Sequence, residues 1–358
     1  MAGYFKVSMD AARALVADSD GPELLAGYTT LCGYAFGKDR EITAAGAKSI
    51  RLTTGCTDHR AKRVLRELLS FRYGERGGSG LLEATTKRLR NAAIYHLPHW
   101  DGEYSYLPSL LLERHPEHGS PLARLISADE ERAVIRDALL LLLHVYASTD
   151  YAEWFGCPPD TMTYQDWRHD GYGGDDFELG MQGTVGDLTL WLVAENEDDT
   201  WRTPLAVMTS LFGADEEIAK SRFWPAWWCL RKSGLTVPVI SVHAGGRAYP
   251  LWVYSAAYRE SLKDLGIVPD LAKEAQLAAC DSGLDPDNLV IRYAVDELER
   301  AGSGLFYCFG VKPTVRTVIA PRLHAPTPIN LDGLKEAAAV TRDIWRRIRA
   351  SRRAERAA

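Results

Sequence analysis

The sequence predicts a predominantly helical α+β protein, on three observations. Apolar residues recur at the 3.6-residue helical period over several stretches, short β-rich pairs follow two of those stretches, and the order helix, turn, helix, hairpin occurs twice with almost no residue identity between the copies. A chain of 358 residues allows two or three domains, and 46% apolar with 25% charged residues is the balance of a globular protein rather than a disordered one. The expected boundaries are 1–99 for the first module, 100–126 for a connector, 127–260 for the second module and 261–358 for a C-terminal helical and β extension with a basic tail.

In the first module, Asp20-Gly21-Pro22 reads as a helix start, with Asp20 as the capping residue. The helix then places Leu24, Leu25, Tyr28, Leu31 and Cys32 on one face and is expected to end at Gly37. Thr43 is the expected cap of a short helix over Ala44–Leu52, and Gly55 supplies the backbone freedom for a tight turn over Thr53–Cys56. Thr57 then caps a second helix, with Asp58 in its first turn where a carboxylate suits the helix dipole. Buried positions are expected at Ile42, Ala47, Ile50, Cys56, Ala61, Val64, Leu65 and Leu68, with the small Ala47 allowing a close helix crossing. Farther on, LLEA and AAIYHL flank the basic, Thr-rich TTKRLRN as a β-hairpin.

The stretch from Glu41 to the hairpin resembles the helix-turn-helix of bacterial winged-helix DNA-binding proteins, both transcription regulators and the replication initiators of plasmids and mobile elements. The matching features are the small residue in the first helix, the Gly in the turn, the apolar residue after it and the polar cap of the second helix; together they cover about fifty residues. The resemblance implies that the second helix enters the major groove of double-stranded DNA. It makes Thr57, His59, Arg60 and Arg63 candidate base readers, Arg because it can donate two hydrogen bonds to guanine O6 and N7. Lys62, Arg66, Lys48 and Arg51 become candidate phosphate contacts, and the hairpin becomes the wing, with Lys87, Arg88 and Arg90 near its tip. Charge agrees. The net charge of −6 disfavours a nucleic-acid partner, yet thirteen Lys/Arg face six Asp/Glu between Gly37 and Tyr95, and eight face three from Lys335 to Ala358. Two basic regions on an acidic body make a polarised molecule, and DNA responds to the local field.

The second copy completes the expected fold class: α+β, predominantly helical, with tandem winged-helix modules and short β-hairpin wings. A capping box of Ser127 and Glu130 opens a helix to Tyr146. Helices are expected at Arg202–Gly213 and Glu216–Ser233, and two β runs between Leu235 and Tyr254 flank an AGGR turn. Its longer helix begins with Asp215, Glu216 and Glu217 and carries Trp224, Trp227 and Trp228, which points to protein contact or homodimerisation rather than to phosphate. Beyond it, Leu265–Asp287 reads as a polar helix, residues 305–322 as one or two strands, and the last helix as a basic face formed by Arg342, Arg346, Arg349 and Arg353.

No phosphate-binding glycine loop, dinucleotide fingerprint, nucleophile elbow or H-E-x-x-H is present, so the chain is not expected to be an enzyme or to carry a cofactor. Two alternatives stand beside DNA binding: a metal-dependent nuclease or primase built on Asp170, Asp175 and Asp176, and a protein-interaction adaptor using winged-helix folds. The group His96, His99, Asp101, His115 and His118 lacks metal-ligand spacing on a helix. Cys32, Cys56, Cys157, Cys229, Cys280 and Cys308 form no C-x-x-C pair and read as small buried hydrophobes. Neither a membrane span nor a signal peptide is expected, and the expected location is cytoplasmic.

Overall fold

Helices of six to seventeen residues and small antiparallel sheets make a mixed α+β architecture. The computed structural model describes residues 4–37, 40–72, 80–89, 92–98, 102–114, 119–150, 154, 156–166, 168–172, 184–185, 188–194, 200–244, 247–253, 276–277, 289–293, 305–310 and 314–321. They fall in two compact units built from interleaved segments: Met1–Ser148 with Pro204–Thr236, and Thr149–Thr203 with Val237–Ala320. The expected segments 1–99, 100–126 and 127–260 therefore do not coincide with the units, because helices from both ends of this span share one core.

The first unit opens with β1 (Tyr4–Ser8) and α1 (Met9–Ala17), where the Ser8 hydroxyl accepts from the Ala11 N–H to cap the helix. Next come α2 (Glu23–Gly33), β2 (Ala35–Phe36), β3 (Ile42–Thr43), α3 (Ala47–Thr54), α4 (Asp58–Ser70), β4 (Glu83–Leu89), β5 (Ala92–His96) and β6 (Tyr104–Pro108). After these follow α5 (Pro121–Ile126), α6 (Arg132–Ser148), α7 (Leu205–Phe212) and α8 (Glu216–Lys232). β1 pairs antiparallel with β6, and a second sheet runs in the order β2-β3-β5-β4. The core is α6: Ala138 to Leu143 are wholly buried, which suits a helix apolar on all sides and enclosed by α1, α2, β6 and α8. Asp137, only 4% exposed, is clasped from α8 by two hydrogen bonds from Arg222, each 2.8 Å, and by Arg136 at 2.8 Å. The pair aligns α6 with α8 through a bidentate fork.

Local expectations differ from the structure where strand pairing or close packing competes with helix. α2 starts behind Pro22 without a side-chain cap, so Asp20 does not cap it; Ser19 instead bonds both polar groups of the Gly21 backbone. It stops at Gly33, not Gly37, because Ala35 and Phe36 pair with Thr43 and Ile42. Nor is it one-sided: Leu25 through Cys32 are all buried between neighbouring elements. Thr43 does not cap the next helix. It lies in β3, and its hydroxyl accepts from the Ala45 N–H, while α3 begins at Ala47 and runs to Thr54 before Gly55 at φ 73° reverses the chain. Ala47, expected to allow a close crossing of α3 and α4, is half-buried, and a different close crossing, of α2 with α4, lies at Gly27, where a Cβ would stand 2.5 Å from Val64 Cγ1 of α4. In the expected polar helix 265–287, the described residues Gln276–Leu277 are instead a strand.

The second unit contributes β7 (Gln165–Asp166), β8 (Arg168–Tyr172), β9 (Thr184–Val185), β10 (Leu188–Ala194), β11 (Thr236–Ala244), β12 (Arg247–Val253), β13 (Gln276–Leu277), β14 (Leu289–Tyr293), β15 (Leu305–Gly310) and β16 (Thr314–Pro321). They form one sheet in the order β13-β14-β15-β10-β8, with β9 also on β10, and another in the order β12-β11-β16-β7. The expected hairpin around AGGR is β11–β12 and belongs to this unit, whereas α7 and α8 belong to the first. The C-terminal basic helix lies outside the described residues.

Two stability outcomes follow. Gly27→Val should lower stability by about 1–3 kcal/mol through overpacking against Val64, read from the denaturant midpoint. Asp137→Ala should cost about 3–5 kcal/mol by leaving Arg136 and Arg222 without their shared carboxylate; an unchanged melting temperature would contradict this role.

Candidate nucleic-acid interface

α4 shows how apolar packing turns a cationic face outward. Ala61, Val64 and Leu68 are buried, and residues one-third to one-half turn away, His59, Arg63, Arg66 and Ser70, are exposed. The helix is α-helical from its first turn because the Thr57 hydroxyl accepts from the Arg60 N–H at 3.3 Å. Thr57 is therefore occupied as a cap, though itself exposed. Lys62 extends the outward face on one side, 2.7 Å from Asp58 Oδ2. That hydrogen bond holds the Asp58 carboxyl below its ordinary range, with smaller contributions from Lys62, Arg51 and His59 charges. The chain reversal at Gly55 packs α3 against α4.

Arg63 Nε lies 3.5 Å from Glu67 Oε1, one turn on, with both side chains about half exposed. Exposed i,i+4 pairs of this kind hold a cation weakly, so a phosphate or base edge can replace the partner. Lys48 and Arg51 are exposed on α3, three residues apart and hence on one side of that helix. Together these two helices gather Lys48, Arg51, His59, Lys62, Arg63 and Arg66.

Arg60 is placed differently. Its Nη1 lies 3.1 Å from Glu23 Oε1 at the start of α2, and the same carboxylate oxygen receives Arg132 from the first turn of α6. Glu23 is 10% exposed, while Arg60 and Arg132 keep 44% and 48% of their side-chain surface. Arg60 thus sits on the flank of α4 rather than on its outward stripe. Neither Glu23 nor Arg132 carries a motif signal, because the three residues come from separate helices and meet only on folding.

The hairpin places Glu83 opposite His96, Ala84 opposite Tyr95, Arg88 opposite Ala93 and Leu89 opposite Ala92, with an irregularity between Ala84 and Arg88. Lys87 and Arg88 are in β4 near the turn, and Arg90 lies outside the described residues. At the opposite end of the hairpin, His96 is 3.7 Å from both Glu41 and Glu83.

Among the described residues no group of three or more His, Cys, Asp or Glu converges as a metal site. Asp170 is in β8 opposite Leu192, and Asp175 and Asp176 lie outside the described residues, as do His99, Asp101, His115 and His118. Cys32, Cys157 and Cys229 are buried free thiols and Cys56 a partly exposed one. Burial pushes the Cys32 and Cys157 thiols up to about 12, far from the thiolate form a nucleophile needs. No helix among the described residues is long and apolar enough to cross a membrane. In comparisons with known proteins the chain matches no family model, no curated protein and no solved structure.

Proposed function

We propose that α3, α4 and the β4–β5 hairpin are a winged helix-turn-helix that binds double-stranded DNA in a sequence-specific way, as a cytoplasmic transcription regulator or as a replication initiator of a plasmid or mobile element. The observation that carries this reading is the outward cationic stripe of α4, His59, Arg63 and Arg66, on a helix whose opposite side is anchored by Ala61, Val64 and Leu68. A rigid helix with exposed Arg and only weak intrahelical partners suits groove entry, and Lys48 and Arg51 suit the adjoining phosphates.

Under the same proposal α7 and α8 are the helix pair of the second, divergent copy; the β11–β12 hairpin expected as its wing belongs to the other compact unit. The first turn of α8 carries Glu216 and Glu217, which phosphate would repel, so this copy serves protein contact or homodimerisation. Ile218 and Trp228, each about half exposed on α8, support that assignment.

Duplex affinity should fall about 10³-fold or more between 50 and 200 mM salt if six or more phosphates are neutralised. Fluorescence anisotropy across that range tests it, and a flat response favours an adaptor that touches only protein. Arg63→Ala should relax base preference at one position of a selected site, at a cost of ~1–3 kcal/mol if the contact is bidentate. Selection from randomised duplexes is the readout; weaker binding with an unaltered consensus would remove Arg63 from base reading. Footprints then separate the two roles, a short operator near a promoter for a regulator and direct repeats beside an A·T-rich segment for an initiator.

A further inference from the structure

We infer that Arg60 and Arg132, bridged by Glu23, form a phosphate-binding pair that grips the DNA backbone beside α4; this rests on the DNA-binding reading above. A carboxylate buried as deeply as Glu23 must be paired, and here two guanidiniums share one of its oxygens. One comes from the first turn of α4 and the other from the first turn of α6, so the pair is assembled by tertiary structure. The three groups carry a net charge of +1. Close to half of each guanidinium-bearing side chain faces solvent, while the inner edge is held by Glu23.

Each guanidinium has five N–H donors in a planar fork, and contact with a single carboxylate oxygen leaves most of them free. Two such forks held side by side offer donors to more than one oxygen of a tetrahedral anion. The rotamer freedom that binding would otherwise remove is already restricted by the buried brace. The flank position of Arg60 favours a backbone phosphate over a base edge, because the stripe that faces directly away from the core is His59, Arg63 and Arg66. Arg132 thereby becomes a DNA contact supplied from outside the helix-turn-helix itself.

The test uses the full chain and a duplex of selected sequence, with Arg132→Gln and Arg60→Gln measured separately. Glutamine removes the charge while keeping a polar side chain at the position. Each variant should bind several-fold more weakly, reduce the slope of log affinity against log salt by about one, and select the same base sequence as the parent. Melting temperatures establish that the variants fold, and Arg60→Gln decides if Arg132→Gln does not. A folded variant that keeps the parental salt slope overturns the pair as a phosphate site and leaves it a structural staple, whose loss would move only the melting temperature. A parent protein without salt-dependent duplex binding overturns the DNA-binding reading and this inference with it.

Discussion

The close crossing of α2 and α4 at Gly27 is the contact on which the candidate interface depends. With no side chain at that point, Val64 reaches the α2 backbone and Leu68 and Ile50 close around it. α2 is in turn buried among β1, α1, α3, α4 and α6, so α4 is referenced to the centre of the unit rather than to a mobile surface layer. The positions of the outward side chains of α4 are set by how its inward side is seated.

Electrostatics divides the cations of α4 into two kinds. Arg63 and Lys62 are paired along their own helix with exposed acids, and such pairs exchange readily with solvent or ligand. Arg60 is paired across helices with a buried acid that Arg132 shares. The same physics at Asp137 gives a purely architectural result, since its arginines run between α6 and α8 and are themselves largely covered. A buried carboxylate thus organises arginines in two places, and solvent exposure of the arginines separates the two uses.

Much of the first module was legible from residue pattern alone. Thr57 as a cap, Gly55 as the point where the chain reverses, the buried Ala61, Val64 and Leu68, and the existence of the β4–β5 hairpin follow from short-range rules, whereas Ile42, Ala47, Cys56 and Leu65 are only half-buried and Thr85–Leu89, expected in the hairpin turn, extend β4 instead. Two of the misplaced boundaries have a common cause. Gly37 as a helix end and Thr43 as a helix cap are both locally plausible, but the strand pairs Ala35 with Thr43 and Phe36 with Ile42 claim these residues. β3 is itself held by β5 from far along the chain, Ile42 opposite His96 and Thr43 opposite Tyr95, and this long-range pairing outweighs local helix propensity.

What the sequence by itself determined is therefore local: which side of α4 is apolar, where its turn and cap lie, and that its remaining face is cationic. Only the tertiary structure decided that Gly27 is the crossing point, that α8 joins α6 through Asp137 and Arg222, and that Glu23, Arg60 and Arg132 meet. The reason is that periodicity and capping act over a few residues of one chain segment, whereas a shared buried charge or a close helix approach exists only after separate segments are packed and water is excluded from between them.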